Sequence, residues 1–370
     1  MSRIRVLMVS KALVVGAYQR KLELLASAPD LELTCVVPAA WGSQRFEPAH
    51  LSGYRMVVQP IRFNGSFHVF YFPRLAALLR DLHPDIVHLD EEPYNLATFL
   101  STREALAAGA RPIFFTWQNL ERRYPPPFRW FEQWVFRHAA HAIAGNAEAR
   151  DVLRRKRYHG PIAVIPQFGV DPELFTPADP RPHAPEIDPV FKIGYAGRLV
   201  EEKGLFVLLE ALAGLGCPWR LSLFGDGPLR VALAARARNL GIGHRVFFHA
   251  AVPSVEMPRR LIQLDALALP SLTRPNWKEQ FGRVLIEAMA CGVPVVGSTS
   301  GEIPNVVGDA GLLVPEGDSR ALRTALERLA SDRALTTELS SRGRARVLER
   351  FTHQHVADQT LAVYRRVVEA

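Results

Sequence analysis

The strongest constraint on this chain is a pattern that occurs twice. A short, nearly uninterrupted run of β-forming apolar residues follows a basic flank, and helical and apolar stretches then alternate. The first series opens with IRVLMVS at 4–10. It continues through a helical stretch from Tyr18 to Ala28, LELTCVV at 31–37, the helix-like FPRLAALLRDLH, DIVHLD at 85–90, PIFFTW at 112–117, AHAIAG at 140–145 and IAVIP at 162–166. The second opens with VFKIGYAGRL at 190–199 and continues through the helical FVLLEALAGL, WRLSLFG at 219–225 and a helix from Pro228 to Leu240. RVFFHA at 245–250, a helix from Met257 to Leu264, ALALP at 266–270, a helix from Gly282 to Ala290 and PVVGS at 294–298 complete it. Continuous apolar runs spaced by helical patterns are strands buried on both faces, as in parallel sheets covered by helices. The expected class is α/β, with two Rossmann-like, doubly wound domains facing a cleft lined by the carboxyl ends of both sheets, where ligands bind in such folds.

Between the two series, TPADPRPHAPEIDP at 176–189 carries five prolines and no apolar periodicity, the composition of a semi-rigid linker. The expected division is a first domain over 1–178, a linker over 179–189 and a second domain over 190–352. From Asp318 to Ala370 the pattern is almost wholly helical, and the tail from about 353 to 370 is expected to return to the first domain. With 370 residues, 48% hydrophobic and 22% charged, the chain has enough apolar surface for two cores, which excludes a disordered or fibrous protein. Cys35, Cys217 and Cys291 form no CxxC pair and lack His at ligand spacing, so no disulfide framework or zinc site is expected, and a reducing cytoplasm fits. Lys11 interrupts the one early apolar run, and neither a signal peptide nor a membrane-spanning helix is expected.

The net charge of +8 favours a polyanionic partner: nucleic acid, anionic lipid or a phosphorylated small molecule. No nucleic-acid-binding motif accompanies the charge, and no GxGxxG follows either opening strand, which disfavours a dinucleotide oxidoreductase. Three segments carry more specific chemistry. In GYAGRLVEEKG at 194–204, Gly197 permits a tight turn, and Arg198 and Lys203 flank a helix start where two cations can meet a diphosphate; plain surface charge is the competing reading. In FGDGP at 224–228, two glycines around Asp226 let the backbone approach a ligand, and Pro228 suits the first position of a helix; an ordinary strand-to-helix turn has the same signature. In the stretch from 266 to 308, Glu279 precedes a helix opening at Phe281 and Gly282, and Glu287 follows eight residues later. Carboxylates accept from sugar hydroxyls and from the vicinal diol of a ribose; the same pair also suits a general acid and base.

The second half resembles the donor-binding domain of retaining glycosyltransferases of family 4, which have the GT-B fold. GRLVEEKG, FGDGP, ALALPS, EQFGRVLIEAMACGVPVV, SGEIPNVV and GLLVPEGD occur in that family's order over roughly 190–320. The resemblance implies a cytoplasmic, metal-independent hexosyltransferase without a cofactor, whose co-substrate is a UDP- or GDP-sugar and whose acceptor is a hydroxyl group. It further implies that Arg198 and Lys203 bind the diphosphate, that Glu279 with the Phe281 and Gly282 backbone holds the sugar, and that Glu287 binds the ribose. Leu285 would lie near the nucleotide, and Val252 would contact the base through its main chain. Related two-domain epimerases and phosphorylases, and an inactive scaffold, are the alternatives.

The first domain departs from the family pattern. Many members carry a glycine pair after the first strand, where backbone amides approach the donor phosphates and this chain has only Gly16, and a Thr-x-His pattern near the reacting carbon, where this chain has Thr116, Trp117 and, as an acceptor-side candidate, Gln118. Asn146 stands where similar sequences often have Ser, and it equally suits a helix N-cap. His88 and the acidic run Asp90, Glu91 and Glu92 end a strand on the side expected to meet the acceptor; a strand-end histidine beside solvated acids is the competing reading. Residues 121–141 interleave Arg122, Arg123, Arg129 and Arg137 with Phe128, Trp130, Phe131, Trp134 and Phe136, which suits either an anionic membrane surface on its inner face or an amphipathic helix packed on the sheet.

Overall fold

A computed structural model describes residues 3–177 and 190–370, so the expected linker at 179–189 lies outside the described residues. The chain forms two compact units, Met1–Gly169 with His353–Ala370, and Val170–Thr352. In the first unit the strands are β1 (Ile4–Val9), β2 (Leu31–Pro38), the hairpin β3 (Ala40–Trp41) and β4 (Gln44–Arg45), β5 (Arg55–Gln59), β6 (Ile86–Leu89), β7 (Arg111–Thr116), β8 (His141–Ala144) and β9 (Ile162–Val164). Helices α1 (Arg20–Ala26), α2 (Leu75–Leu82), α3 (Leu96–Ala107), α4 (Phe128–His138) and α5 (Ala147–Arg155) lie between them. The seven-stranded sheet runs β5-β2-β1-β6-β7-β8-β9, all parallel, and β1 pairs Ile4 with Leu31 on one side and Val6 with Ile86 on the other. The strand order reverses at β1, the place where ligands meet sheets of this kind.

The second unit repeats this plan. Its strands are β10 (Phe191–Ala196), β11 (Trp219–Phe224), β12 (Val246–His249), β13 (Ala266–Leu269), β14 (Val295–Ser298) and β15 (Leu312–Val314). Its helices are α6 (Leu205–Ala213), α7 (Arg230–Asn239), α8 (Met257–Leu261), α9 (Arg283–Ala290), α10 (Ile303–Val307), α11 (Ser319–Ser331) and α12 (Arg333–Arg350). The parallel six-stranded sheet runs β12-β11-β10-β13-β14-β15, with its reversal at β10. Helix α7 opens at Arg230 after Leu229, so Pro228 belongs to the preceding turn rather than to the first helical position.

Residues 170–177 belong to the second unit, although the sequence places them in the first domain. The Val170 amide donates to the Phe351 carbonyl at 2.8 Å, and Arg344 on α12 donates to the carbonyls of Phe175 at 2.5 Å and Pro172 at 3.1 Å. These main-chain ties hold the segment against the end of α12.

The last helix, α13 (His353–Glu369), returns to the first unit. Its Val356, Ala357, Val363, Tyr364 and Val367 share one buried cluster with Val6 and Met8 of β1 and with Cys35 and Val37 of β2. A helix that buries this stripe is held by packing rather than by its own propensity.

Candidate functional site

A cavity of about 450 Å³ opens in the second unit where the chain leaves β10, β11 and β12 and enters α9. Among its lining residues are Gly197, Arg198, Asp226, Val252, Arg283 and Glu287. The loops after β10 and β11 lie backbone against backbone here. A Cβ on Gly225, whose φ is +140°, would stand 2.0 Å from the Gly197 carbonyl oxygen, so only glycine lets the two loops meet. Arg198 extends outward, its side chain 70% exposed and 3.7 Å from Glu202. Glu201, Glu202 and Lys203 form a 3₁₀ turn ahead of α6, rather than the helix's own first turn.

On α9, Arg283 forms an ion pair with Glu287, its Nε 2.8 Å from Oε1, and Arg283 Nη2 donates to Ser254 Oγ at 3.2 Å. Burial pushes the Glu287 carboxyl above its ordinary range, and the charge and hydrogen bond of Arg283 draw it part of the way back. Gly282 caps α9 with φ +78°, a left-handed conformation that glycine takes without strain. Leu285, expected near the nucleotide, is fully buried beneath Gly282 because that face of α9 packs on the sheet; the adjacent Val284 lines the cavity instead.

A second cluster forms in the loop between β13 and α9. Lys203 Nζ lies 2.6 Å from Glu279 Oε2, which also accepts from Ser271 Oγ at 2.8 Å. The Lys203 ammonium sits 4.9 Å from the Trp277 ring centroid, a favourable cation–π placement. Glu279 is buried, and its carbonyl accepts from the Glu302 amide at 3.1 Å. Phe281 is buried with its ring edge-on to Phe351 at 5.8 Å. Arg198 and Lys203, after β10, and Glu279 and Glu287, after β13, thus lie past the carboxyl ends of the two central strands of one sheet, an arrangement that can hold a diphosphate between hydroxyl-bearing groups.

In the first unit the residues expected on the acceptor side, and Gly16, are largely interior. His88 is buried on β6 and shares a 2.7 Å hydrogen bond with Tyr364 of α13; burial lowers its pKa to about 4, so it is a neutral core histidine. Asp90 accepts from Ser10 Oγ at 2.7 Å and lies 3.7 Å from Lys21 Nζ. Glu91 is buried in an ion pair with Lys11, whose ammonium also faces the rings of Phe67, Phe70 and Trp41. The run after β6 is therefore not solvated: Lys11 of the loop after β1 and Lys21 of α1 face Glu91 and Asp90. Glu92 accepts from Thr116 Oγ1 at 2.6 Å and from the Trp117 amide at 2.8 Å, and burial raises it to about 7. Gln118 is buried between Glu132 and Lys156. Asn146 caps α5, its Oδ1 accepting from the Ala149 amide at 2.7 Å. Gly16 is the one buried residue of a 3₁₀ turn, with its N–H 3.4 Å from Glu47 Oε2.

Residues 23–174 match the profile described as Glycosyltransferase Family 4, and residues 181–346 match that described as Glycosyl transferases group 1. The chain is 30% identical over 339 residues to the GDP-mannose-dependent alpha-(1-6)-phosphatidylinositol monomannoside mannosyltransferase of Mycolicibacterium smegmatis, an alignment that covers 85% of each. The chain belongs to glycosyltransferase family 4.

The family's D-inositol 3-phosphate glycosyltransferase of Mycobacterium marinum is 31% identical over 343 residues, 89% of this transferase and 67% of that one. The 2-deoxystreptamine glucosyltransferase of Streptomyces kanamyceticus aligns over 46% of its length at 31% identity. Among solved structures, sucrose-phosphate synthase from Thermosynechococcus elongatus superposes with a TM-score of 0.73 at 22% identity, covering 99% of this transferase and 100% of that chain. HepE of Anabaena, in complex with UDP, gives 0.75 at 19% over 99% and 100%. The transferase has the GT-B type of fold, with two Rossmann-like units. Arg283, Ser254, Ser271 and Trp277 escaped the sequence reading. Arg283 lies four residues before Glu287, a spacing that puts both on one helix face and was readable in advance.

Proposed function

We propose that this transferase moves a hexosyl group, with retention of anomeric configuration and without a metal cofactor, from a UDP- or GDP-sugar to a hydroxyl acceptor. The observation that carries the reading is the pairing of Lys203 with Glu279 in the same unit as a cavity that Arg198 and Glu287 line. An ammonium has three donors, so Lys203 can keep one on Glu279 while offering others to a phosphate oxygen. That arrangement couples the diphosphate subsite to the sugar subsite. Arg198, exposed and extended, supplies a second cation for the same anion. Glu287 takes the ribose hydroxyls, Val252 the base, and the Phe281 and Gly282 backbone at the start of α9 faces the sugar.

The bond from the anomeric carbon to the diphosphate oxygen breaks, and the acceptor oxygen bonds to that carbon on the same face. The acceptor proton passes to the departing phosphate oxygen, leaving a nucleoside diphosphate. Cations and helix-start amides aimed at the charge that develops on the leaving oxygen accelerate the step, because they bind it more strongly than the ground state.

The proposed acceptor is a glycolipid, a polysaccharide precursor or a small glycoside, with the lipid reading favoured by residues 121–141. Phe131 stacks on Phe99 at 4.5 Å and Phe136 on Phe114 at 5.7 Å, so those rings serve packing. Trp130, however, is 63% exposed, and Arg122, Arg123, Arg129 and Arg137 are exposed too. Among the described residues no helix is long and apolar enough to cross a membrane. Peripheral contact with the inner, cytoplasmic face of a membrane is the corresponding location. The test incubates the enzyme with UDP- and GDP-sugars, with and without EDTA, and reads the product anomer by NMR. Turnover in EDTA with the donor's configuration preserved is expected; an inverted product, or isomerised donor without transfer, would sink the proposal.

A further inference from the structure

Arg283 occupies a place that helix energetics does not explain. It is the first residue of α9, where the helix dipole favours negative charge, and it precedes its carboxylate partner, the weaker of the two orders for a pair four residues apart. Charged residues that break a local rule without a local gain tend to sit where a site needs them. The side chain turns into the cavity wall, with Nε 2.8 Å from Glu287 Oε1 and Nη2 3.2 Å from Ser254 Oγ. It thereby joins the ribose carboxylate to the loop after β12 that also carries Val252, and all four residues line the same cavity.

We propose that Arg283 is a positioning residue for nucleotide recognition, holding Glu287 ionised and in register with the 252–254 loop so that the carboxylate accepts both ribose hydroxyls. The inference rests on the reading of Glu287 as the ribose ligand. A protonated carboxyl would present a donor where a diol needs an acceptor, and would lose the bond. Burial drives Glu287 toward that protonated form, and Arg283 is the cation that opposes it. The other charged groups facing the cavity are Arg198 and Asp226. Behind α9 lie Arg344 of α12, bonded to the Ala290 carbonyl at 2.6 Å, and the Cys291 thiol, which burial keeps neutral up to about 12. On α8, Arg259 and Arg260 are exposed. None of these replaces the 2.8 Å contact.

The test measures the Kd of UDP and GDP, and of their 2′-deoxy forms, from pH 8 to pH 5.5 by calorimetry, for wild type, Arg283→Gln, Arg283→Lys and Glu287→Gln. The wild type is expected to prefer the ribonucleotide, with a Kd that is flat across most of the range. Arg283→Gln is expected to bind the ribonucleotide about tenfold more weakly and to lose about another tenfold per pH unit once the pH falls below the raised pKa of Glu287. It is also expected to lose its preference over the 2′-deoxy form, whereas Arg283→Lys keeps most of it. Adding Arg283→Gln to Glu287→Gln should cost little more, the non-additivity expected of residues that act as a pair. A pH-independent Kd for Arg283→Gln with an intact 2′-hydroxyl preference overturns the inference while leaving the nucleotide site standing. A wild type that binds neither UDP nor GDP overturns the nucleotide site itself, and the inference with it.

Discussion

In the proposed reading, one side chain, Lys203, ties the diphosphate and sugar subsites together. Its ammonium pairs with a buried carboxylate at 2.6 Å and lies over the Trp277 ring, so it is anchored before any anion arrives. An anchored cation needs little reorganisation when charge appears on a leaving group, the condition under which electrostatic catalysis is largest. Replacing Lys203 with Ala is expected to lower kcat by about 10²–10³ at saturating donor, the range for losing one donor to a developing oxyanion. Glu279→Gln is expected to lower kcat too, and the double variant to fall by less than the product of the two, because each single change already breaks the pair. Steady-state kinetics on the three variants checks this; near-normal rates in both single variants would remove the assignment.

Glu92 gives a second expectation at the same scale. Burial raises its folded pKa from 4.5 to about 7, so between those values the folded state binds the proton more tightly than the unfolded state does. Its contribution to stability is therefore complete below pH 4.5 and is lost as pH rises through 7, at about 1.4 kcal/mol per unit. Relative to Glu92→Gln, the wild type is expected to gain stability as pH falls from 7 to 4.5. Urea unfolding of both proteins across that range reads the difference, and parallel curves would contradict the raised pKa.

Among the elements, the strands were the most legible part of the fold. β1, β2, β6, β7, β10, β11, β13 and β14 are apolar almost throughout because helices cover both faces of each sheet, and that continuity is visible in a single sequence. β5 escaped because RMVVQ lies at the sheet edge with exposed Arg55 and Val58, too short and too mixed to stand out. The site divided along the same line. Glu279, Glu287 and Lys203 come with contiguous motifs, whereas the burial of His88 depends on Tyr364, 276 residues away, and the neutralisation of Glu91 depends on Lys11, 80 residues away. No local pattern announces such partners. Asn146 carries both readings in its sequence, and the α5 cap is the one its oxygen occupies. Asn146→Ala is expected to lower unfolding free energy by about 1 kcal/mol, and Asn146→Ser, which keeps an oxygen at the cap, to recover most of it. Chemical denaturation resolves a difference of that size; no loss in the Ala variant would show that the cap contributes nothing. At the other unit's loop pair, Gly225→Ala places a Cβ against the Gly197 carbonyl and must push the cavity wall apart. Weaker nucleotide binding together with a lower Tm is the expected outcome, read by thermal shift with and without UDP or GDP.

For the whole molecule, the decisive fact is that the two units are built differently from the same chain. The second is continuous, Val170 to Thr352, whereas the first needs both ends of the sequence, Met1–Gly169 and His353–Ala370. Helix α13 gives the first unit five buried side chains of one core cluster and the Tyr364 hydroxyl that bonds His88 Nδ1. At about 1.5–3 kcal/mol for each large apolar side chain buried, their loss is on the order of 10 kcal/mol, comparable to the whole stability of an ordinary domain. During synthesis, the first unit cannot complete its core until the last residues emerge, while the second has every strand of its sheet by Val314. A chain ending at Thr352 is therefore expected to keep a folded second unit beside an unfolded first one. The cavity residues all fall between Ala196 and Glu287, so the isolated segment 170–352 should fold and bind UDP or GDP with an affinity near that of the full chain. Circular dichroism and calorimetry on that segment, beside limited proteolysis of the chain ending at Thr352, test both halves of the argument. Protection of residues 3–169 from protease in the shortened chain would show that α13 is dispensable. A folded 170–352 segment that fails to bind either nucleotide would mean that recognition draws on residues outside the second unit.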